Sequence, residues 1–125
     1  MLVDQHRVQQ VLINLISNAL KFSPYDSVVL VEFKRGESYL VPGKFDIFIH
    51  VSDSGIGMSK KDLSNLFKPF FRSKDSDSRQ RNPRGNGLGL SICANIAKSM
   101  GGDLRVLSQL GQGSKFTLAF PAIET

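Results

Sequence analysis

Hydrophobic positions in the first part of the chain recur at helical spacing. From Asp4 to Phe22, Val8, Val11, Leu12, Leu15, Ile16, Ala19 and Leu20 fall on one face at about 100° per residue. Asp4 supplies a candidate N-cap, and Ser23-Pro24 ends the pattern, because the residue before proline avoids the α region. Two β-rich runs follow, "SVVLVEF" (27–33) and "FDIFIHVSD" (45–53), separated by the polar connector "KRGESYLVPGK". A short helix is predicted over Lys60 to Phe67, and a longer one from about Leu88 to Met100, stopped by Gly101-Gly102. "DLRVLS" and "SKFTLAF" then form a hairpin closed by "QLGQG", with Phe116, Leu118 and Phe120 alternating onto one face. Strands and helices mix without regular βαβ repetition. The expected fold is a two-layer α/β (α+β) sandwich, a mixed sheet covered on one face by about three helices.

Composition narrows the class. A chain of 125 residues with 41% hydrophobic content suits one domain with one core. The lone Cys93 excludes an internal disulfide framework and fits a reducing compartment. No apolar run approaches the roughly 20 residues of a membrane span, and no signal-peptide pattern opens the chain. A net charge of +5 favours anionic partners without choosing among nucleic acid, acidic protein and phosphorylated small molecule.

Three local features carry candidate chemistry. Asn14 and Asn18 stand one turn apart inside the first helix, although Asn is a poor helix former. With Lys21 they flank the apolar stripe, and Phe22 lies at its edge. An amide oxygen there suits Mg²⁺, which keeps several waters and takes one or two protein ligands beside phosphate oxygens. Alternatively, both amides only hydrogen-bond a neighbouring loop. "DSGIGM" (53–58) ends a predicted strand, with an anionic acceptor, Asp53, beside Gly55 and Gly57, which permit a turn and a close ligand approach. An ordinary strand-ending turn has the same composition. "GNGLGLS" (85–91) enters a helix whose unpaired N–H groups can cradle phosphate, although it matches neither a Walker A loop nor a spaced dinucleotide fingerprint.

In order, "NLISNALKF", "DSGIGM", "LFKPFF", "GNGLGL" and "GQGSKF" resemble the N box, first glycine box, F box, second glycine box and last glycine box of histidine protein kinases. The resemblance runs from Asp4 to about Pro121 and identifies the chain as similar to their catalytic and ATP-binding domain, a Bergerat-fold member of the GHKL superfamily. It implies ATP and Mg²⁺ as ligands. Asn18 would hold the metal, Asn14 would line the metal and phosphate region, and Lys21 would reach a phosphate. Phe22 would stand beside the adenine, Asp53 would accept its amino hydrogen, and Gly55 and Gly57 would admit the purine edge. Gly85, Gly87 and Gly89 would offer N–H groups to the phosphates, with Leu88 packed near the nucleotide. Ser114 matches a hydroxyl that supports the adenine acceptor through water. Phe67 and Phe70 would anchor a lid over 72–86, whose Arg79, Arg81 and Arg84 are expected to meet the terminal phosphate.

The ATP-hydrolysing members of the superfamily carry a glutamate where this chain has Asn14. A neutral amide cannot act as a general base, so transfer to another nucleophile is expected rather than hydrolysis. The implied nucleophile is a histidine on a separate dimerisation and phosphoacceptor domain, with a response regulator or receiver domain downstream. Neither His6 nor His50 lies in the family's phosphoacceptor context. Expected are a cytoplasmic domain over 1–125 without membrane contact or nucleic-acid partner, and a shortened start lacking strand sequence the family usually has there. That would leave a sheet edge open to self-association. Two rival readings are a degenerate nucleotide-binding scaffold and a nucleic-acid module built on the basic 72–86 segment, which lacks aromatics for base stacking.

Overall fold

A computed structural model of the chain describes residues 5–38, 42–67 and 89–121. In chain order the elements are α1 (Gln5–Phe22), β1 (Leu30–Glu37), β2 (Phe45–Asp53), α2 (Lys60–Asn65), α3 (Gly89–Ser99), β3 (Asp103–Gln109) and β4 (Gly113–Pro121). The candidate N-cap Asp4, Phe70, and the 72–86 segment with Arg79, Arg81, Arg84, Gly85 and Gly87 lie outside the described residues, as does Leu88.

The strands form one sheet in the order β1-β2-β4-β3. The two-layer arrangement and the helical layer agree with expectation, but among the described residues every ladder is antiparallel rather than mixed. The reason is the closing hairpin. The crossover through α2 and α3 brings β3 back in the direction of β2, but β4 folds between them, so the two like-directed strands never touch. β1 also begins and ends later than its apolar run suggested, continuing through Lys34–Glu37 because β2 offers partners that far, as Arg35 against Ile47 and Glu37 against Phe45.

One core lies between sheet and helices. Val11, Leu15 and Ala19 of α1, Cys93 and Ala97 of α3, Ile49 and Val51 of β2, and Phe116, Leu118 and Phe120 of β4 are buried together. α1 and α3 run antiparallel. Arg7, near the start of α1, donates to the Ser99 hydroxyl at the end of α3, while Asn14 meets the beginning of α3. Local signals set the ends. Ser59 caps α2 by accepting from the Asp62 N–H at 3.1 Å. Past α3, Gly101 takes a φ of +77°, and the N–H groups of Gly102 and Gly101 bond the carbonyls of Ala97 and Lys98, a Schellman closure.

Candidate functional site

Asp53 is the last residue of β2 and stands opposite Ser114, near the start of β4. Its Oδ1 accepts from the Gly55 N–H at 2.8 Å, and its carboxylate also accepts from the backbone N–H of Ser114. The first bond closes an Asx turn, which aims the carboxylate without help from any other side chain. Burial pushes the Asp53 pKa up, and the two N–H donors only partly oppose that rise. The result is an anionic acceptor, half-buried, with lone pairs to spare.

The glycines of "DSGIGM" have a role beyond ligand access. A Cβ on Gly55 would stand 2.3 Å from the Phe22 carbonyl oxygen, and one on Gly57 would stand 1.9 Å from the Gln109 carbonyl oxygen. Gly55 therefore lets the end of α1 sit directly on the Asp53 turn. Gly57, at φ +72°, lets the same turn press on the β3–β4 hairpin. Two bonds fasten that second contact, and a third extends them within the hairpin. The Gly111 N–H donates to the Ile56 carbonyl at 2.7 Å, the Met58 N–H donates to Ser108 Oγ at 2.9 Å, and Ser108 Oγ meets Ser114 Oγ at 2.9 Å. The Ser114 hydroxyl thus belongs to a network centred on Ser108, while its backbone N–H serves Asp53. Sequence reasoning missed Ser108, because an isolated Ser in a polar, alternating strand gives no signal.

Along α1 the polar flank runs from the start of α3 to the Asp53 turn. Asn14 faces the first residue of α3: its Oδ1 lies 3.4 Å from where a Gly89 Cβ would be. Its Nδ2 donates to the Gln10 carbonyl at 3.1 Å, and its amide also hydrogen-bonds Cys93, whose thiol pKa is pushed up to about 11 by burial. Asn14 therefore joins two helices. Asn18, half-buried one turn on, has no hydrogen-bond partner among the described residues. It sits about 6 Å along the axis from Asn14 and the same from Phe22, whose carbonyl abuts Gly55. Lys21 is exposed on the same flank, and Phe22 is half-buried.

The described residues contain no cluster of three or more His, Cys, Asp or Glu side chains able to hold a metal. The open Asn18 amide fits a different mode, a single neutral oxygen donor to a hard divalent cation that keeps water and phosphate as its other ligands. A four-stranded sheet with a helical layer on one face has the Bergerat arrangement, and the Asp53 carboxylate, the Asn18 amide and the Lys21 ammonium lie along α1 and the turn that ends β2.

Comparison with known proteins agrees. Residues 3–124 match the family of histidine kinase-, DNA gyrase B-, and HSP90-like ATPases, and the chain belongs to that family. It is 42% identical over 118 residues to the sensor histidine kinase RcsC of Escherichia coli, covering 94% of this chain and 11% of that protein. It is 39% identical over 119 residues to the hybrid signal transduction histidine kinase B of Dictyostelium discoideum, covering 94% of this chain and 6% of that one. The chain thus spans a small part of the curated relatives it matches. Among solved structures, full-length ShkA in complex with AMPPNP superposes with a TM-score of 0.77 at 27% identity, over 99% of this chain and 23% of that one. The nucleotide-free catalytic domain of histidine kinase ThkA gives 0.73 at 28% identity, over 95% and 69%.

Proposed function

We propose that this domain binds Mg·ATP between α1 and the glycine turns and donates the γ-phosphoryl group to a histidine on a separate dimerisation and phosphoacceptor domain, from which a receiver domain takes it. The observation that carries the reading is the Asp53 carboxylate, aimed by the Gly55 and Ser114 N–H groups and locked to the end of α1. Such an acceptor pairs with the exocyclic amine of adenine. Toward the phosphates the chain offers the Asn18 amide and the Lys21 ammonium. A bound Mg²⁺ would neutralise phosphate charge, and Asn18 would orient it.

Two features favour transfer over hydrolysis. Asn14, where a water-activating carboxylate would be needed, is an amide already bonded to Gln10 and Cys93. The chain's own imidazoles are also misplaced. His6 is exposed on α1, and His50 bonds Thr117 at 2.7 Å on the sheet face away from the helices. The nucleophile must come from outside this chain. In the transfer, an imidazole nitrogen forms the new bond to Pγ as the bond to the β,γ-bridging oxygen breaks, and ADP leaves. No helix among the described residues is long and apolar enough to cross a membrane.

The test is phosphotransfer in trans. The chain, ATP and a candidate phosphoacceptor domain should yield label on the acceptor that acid removes and base does not. Strong labelling of the isolated chain, or free phosphate release at the rate of a dedicated ATPase, would contradict the reading.

A further inference from the structure

Ser108 stands where the Asp53 turn, the β3–β4 hairpin and Ser114 meet, and a count of protons fixes what it does there. Its Oγ accepts from the Met58 N–H at 2.9 Å and lies 2.9 Å from both the Gly113 carbonyl oxygen and Ser114 Oγ. A serine hydroxyl has one proton, and a carbonyl has none to give. If the Ser108 proton went to Ser114, the Ser108 and Gly113 oxygens would meet at 2.9 Å lone pair against lone pair. One arrangement supplies every contact with a proton: Ser108 donates to Gly113, and Ser114 donates to Ser108.

The Ser114 hydroxyl is thereby used up as a donor and keeps only lone pairs. Ser114 stands opposite Asp53 across the β2–β4 ladder and opposite Ser108 across the β3–β4 ladder. Val51 and Phe116, two residues from Asp53 and Ser114, are core residues, so strand alternation directs both Asp53 and Ser114 to the helix side of the sheet. The two oxygen-bearing side chains are neighbours on the face that carries the nucleotide site. With Asp53 ionised, neither has a proton to offer.

We propose that Ser108 is a positioning residue that sharpens the choice of base: by taking the Ser114 proton it makes the wall beside Asp53 accept only, which suits a 6-amino purine and opposes a 6-oxo purine. The inference rests on the reading that adenine meets Asp53. A 6-oxo group, met directly or through a water, brings lone pairs toward a carboxylate and a hydroxyl that already have only lone pairs. A polar mismatch of that kind separates ligands of equal size. Ser108 need not touch the base. Without its oxygen the Ser114 proton is released to serve Asp53 or an oxo group, and the wall reads either base.

Calorimetric titration with Mg·ADP and Mg·IDP, a 6-amino and a 6-oxo purine of the same size, tests this through the ratio of their affinities. The unaltered chain is expected to prefer ADP. Ser108→Ala should lower the ADP-to-IDP ratio about three- to tenfold, the worth of one hydrogen bond. Ser108→Thr, which keeps the hydroxyl, should hold the parent ratio. In a Ser114→Ala background, Ser108→Ala should move the ratio no further. Melting curves show that each variant is folded; should Ser108→Ala not fold, Ser108→Cys, whose thiol is a weak acceptor, reads the same ratio. A Ser108 that only braces the hairpin would weaken both nucleotides alike, and an unchanged ratio overturns the proposal. So does a ratio shift that persists without the Ser114 hydroxyl. An unaltered chain that binds the two nucleotides equally, or neither, overturns the reading of Asp53 as the amine acceptor along with it.

Discussion

Gly55→Ala puts the contact between α1 and the Asp53 turn under direct strain. The new Cβ would lie 2.3 Å from the Phe22 carbonyl oxygen, 3.0 Å from its carbon and 2.9 Å from Asp53 Oδ1, whereas ordinary contact begins at 3.4 Å. The obstacle is backbone on one side and a hydrogen-bonded carboxylate on the other, so no rotamer change relieves it. The end of α1 must retreat from the Asp53 turn by about 1 Å, at an overpacking cost of about 1–3 kcal/mol. For a domain of this size that lowers the melting temperature by about 4–12 °C. The same retreat separates Asn18 and Lys21 from Asp53, and a misplacement of that scale is expected to weaken nucleotide binding by about ten- to a hundredfold. Gly43→Ala is the control. Gly43 has φ +80° and no atom within 4 Å of a Cβ, so it should cost about 1 kcal/mol and leave binding untouched. Thermal melts and calorimetric titration with Mg·ADP read both quantities. If Gly55→Ala melts and binds like the parent chain, the coupling of α1 to the Asp53 turn is wrong.

Asp53→Asn keeps an oxygen for the Gly55 N–H but replaces an anionic acceptor with an amide that can turn a donor toward the adenine amine. Affinity should fall by about 2–4 kcal/mol, roughly 30- to 1000-fold, while the fold survives; calorimetry beside circular dichroism shows whether the two separate. The pH dependence has a definite sign. Burial raises the Asp53 pKa above the ordinary 3.8, so between the unfolded and folded values the native state holds more protons. Stability therefore falls as pH rises through that window, and the penalty is absent below the unfolded value; urea titrations against pH should show this slope, flattened in Asp53→Asn. Nucleotide affinity runs the other way, declining as pH drops through the raised pKa. Cys93, fully buried with its thiol pKa near 11, should resist alkylation at pH 8 in the native chain and react only as fast as the chain unfolds; prompt stoichiometric labelling would contradict that packing.

Much of the fold was legible in the residues, for local reasons. α1 has an apolar stripe long enough to fix its phase, and β2 reads as a strand from Phe45 to Asp53 because alternation and β-branched residues coincide. β1 was misjudged at its far end because Lys34–Glu37 pairs on account of a partner strand, which no local pattern announces. The antiparallel sheet was hidden for a similar reason, since the hairpin that places β4 between β2 and β3 is a long-range event. Motif order singled out Asp53, Gly55 and Asn18 as candidates. It could not show that Gly55 and Gly57 are needed by the chain's own packing, or that Asn14 is already tied to Gln10 and Cys93. Those facts belong to the meeting of α1, α3 and the hairpin. The expected roles of Arg79, Arg81, Arg84, Gly85, Gly87 and Leu88 lie outside the described residues and stay expectations.

The nucleotide site is tested most directly by amide chemical-shift mapping of the ¹⁵N-labelled chain during titration with Mg·AMPPNP. Saturable shifts are expected at Asn18, Lys21, Asp53, Gly55 and Ser114, with little change along the outer face of β1 and at Gly43. Shifts absent from that set at saturating nucleotide, or confined to β1 and the sheet's outer face, would show that the nucleotide does not bind between α1 and the Asp53 turn.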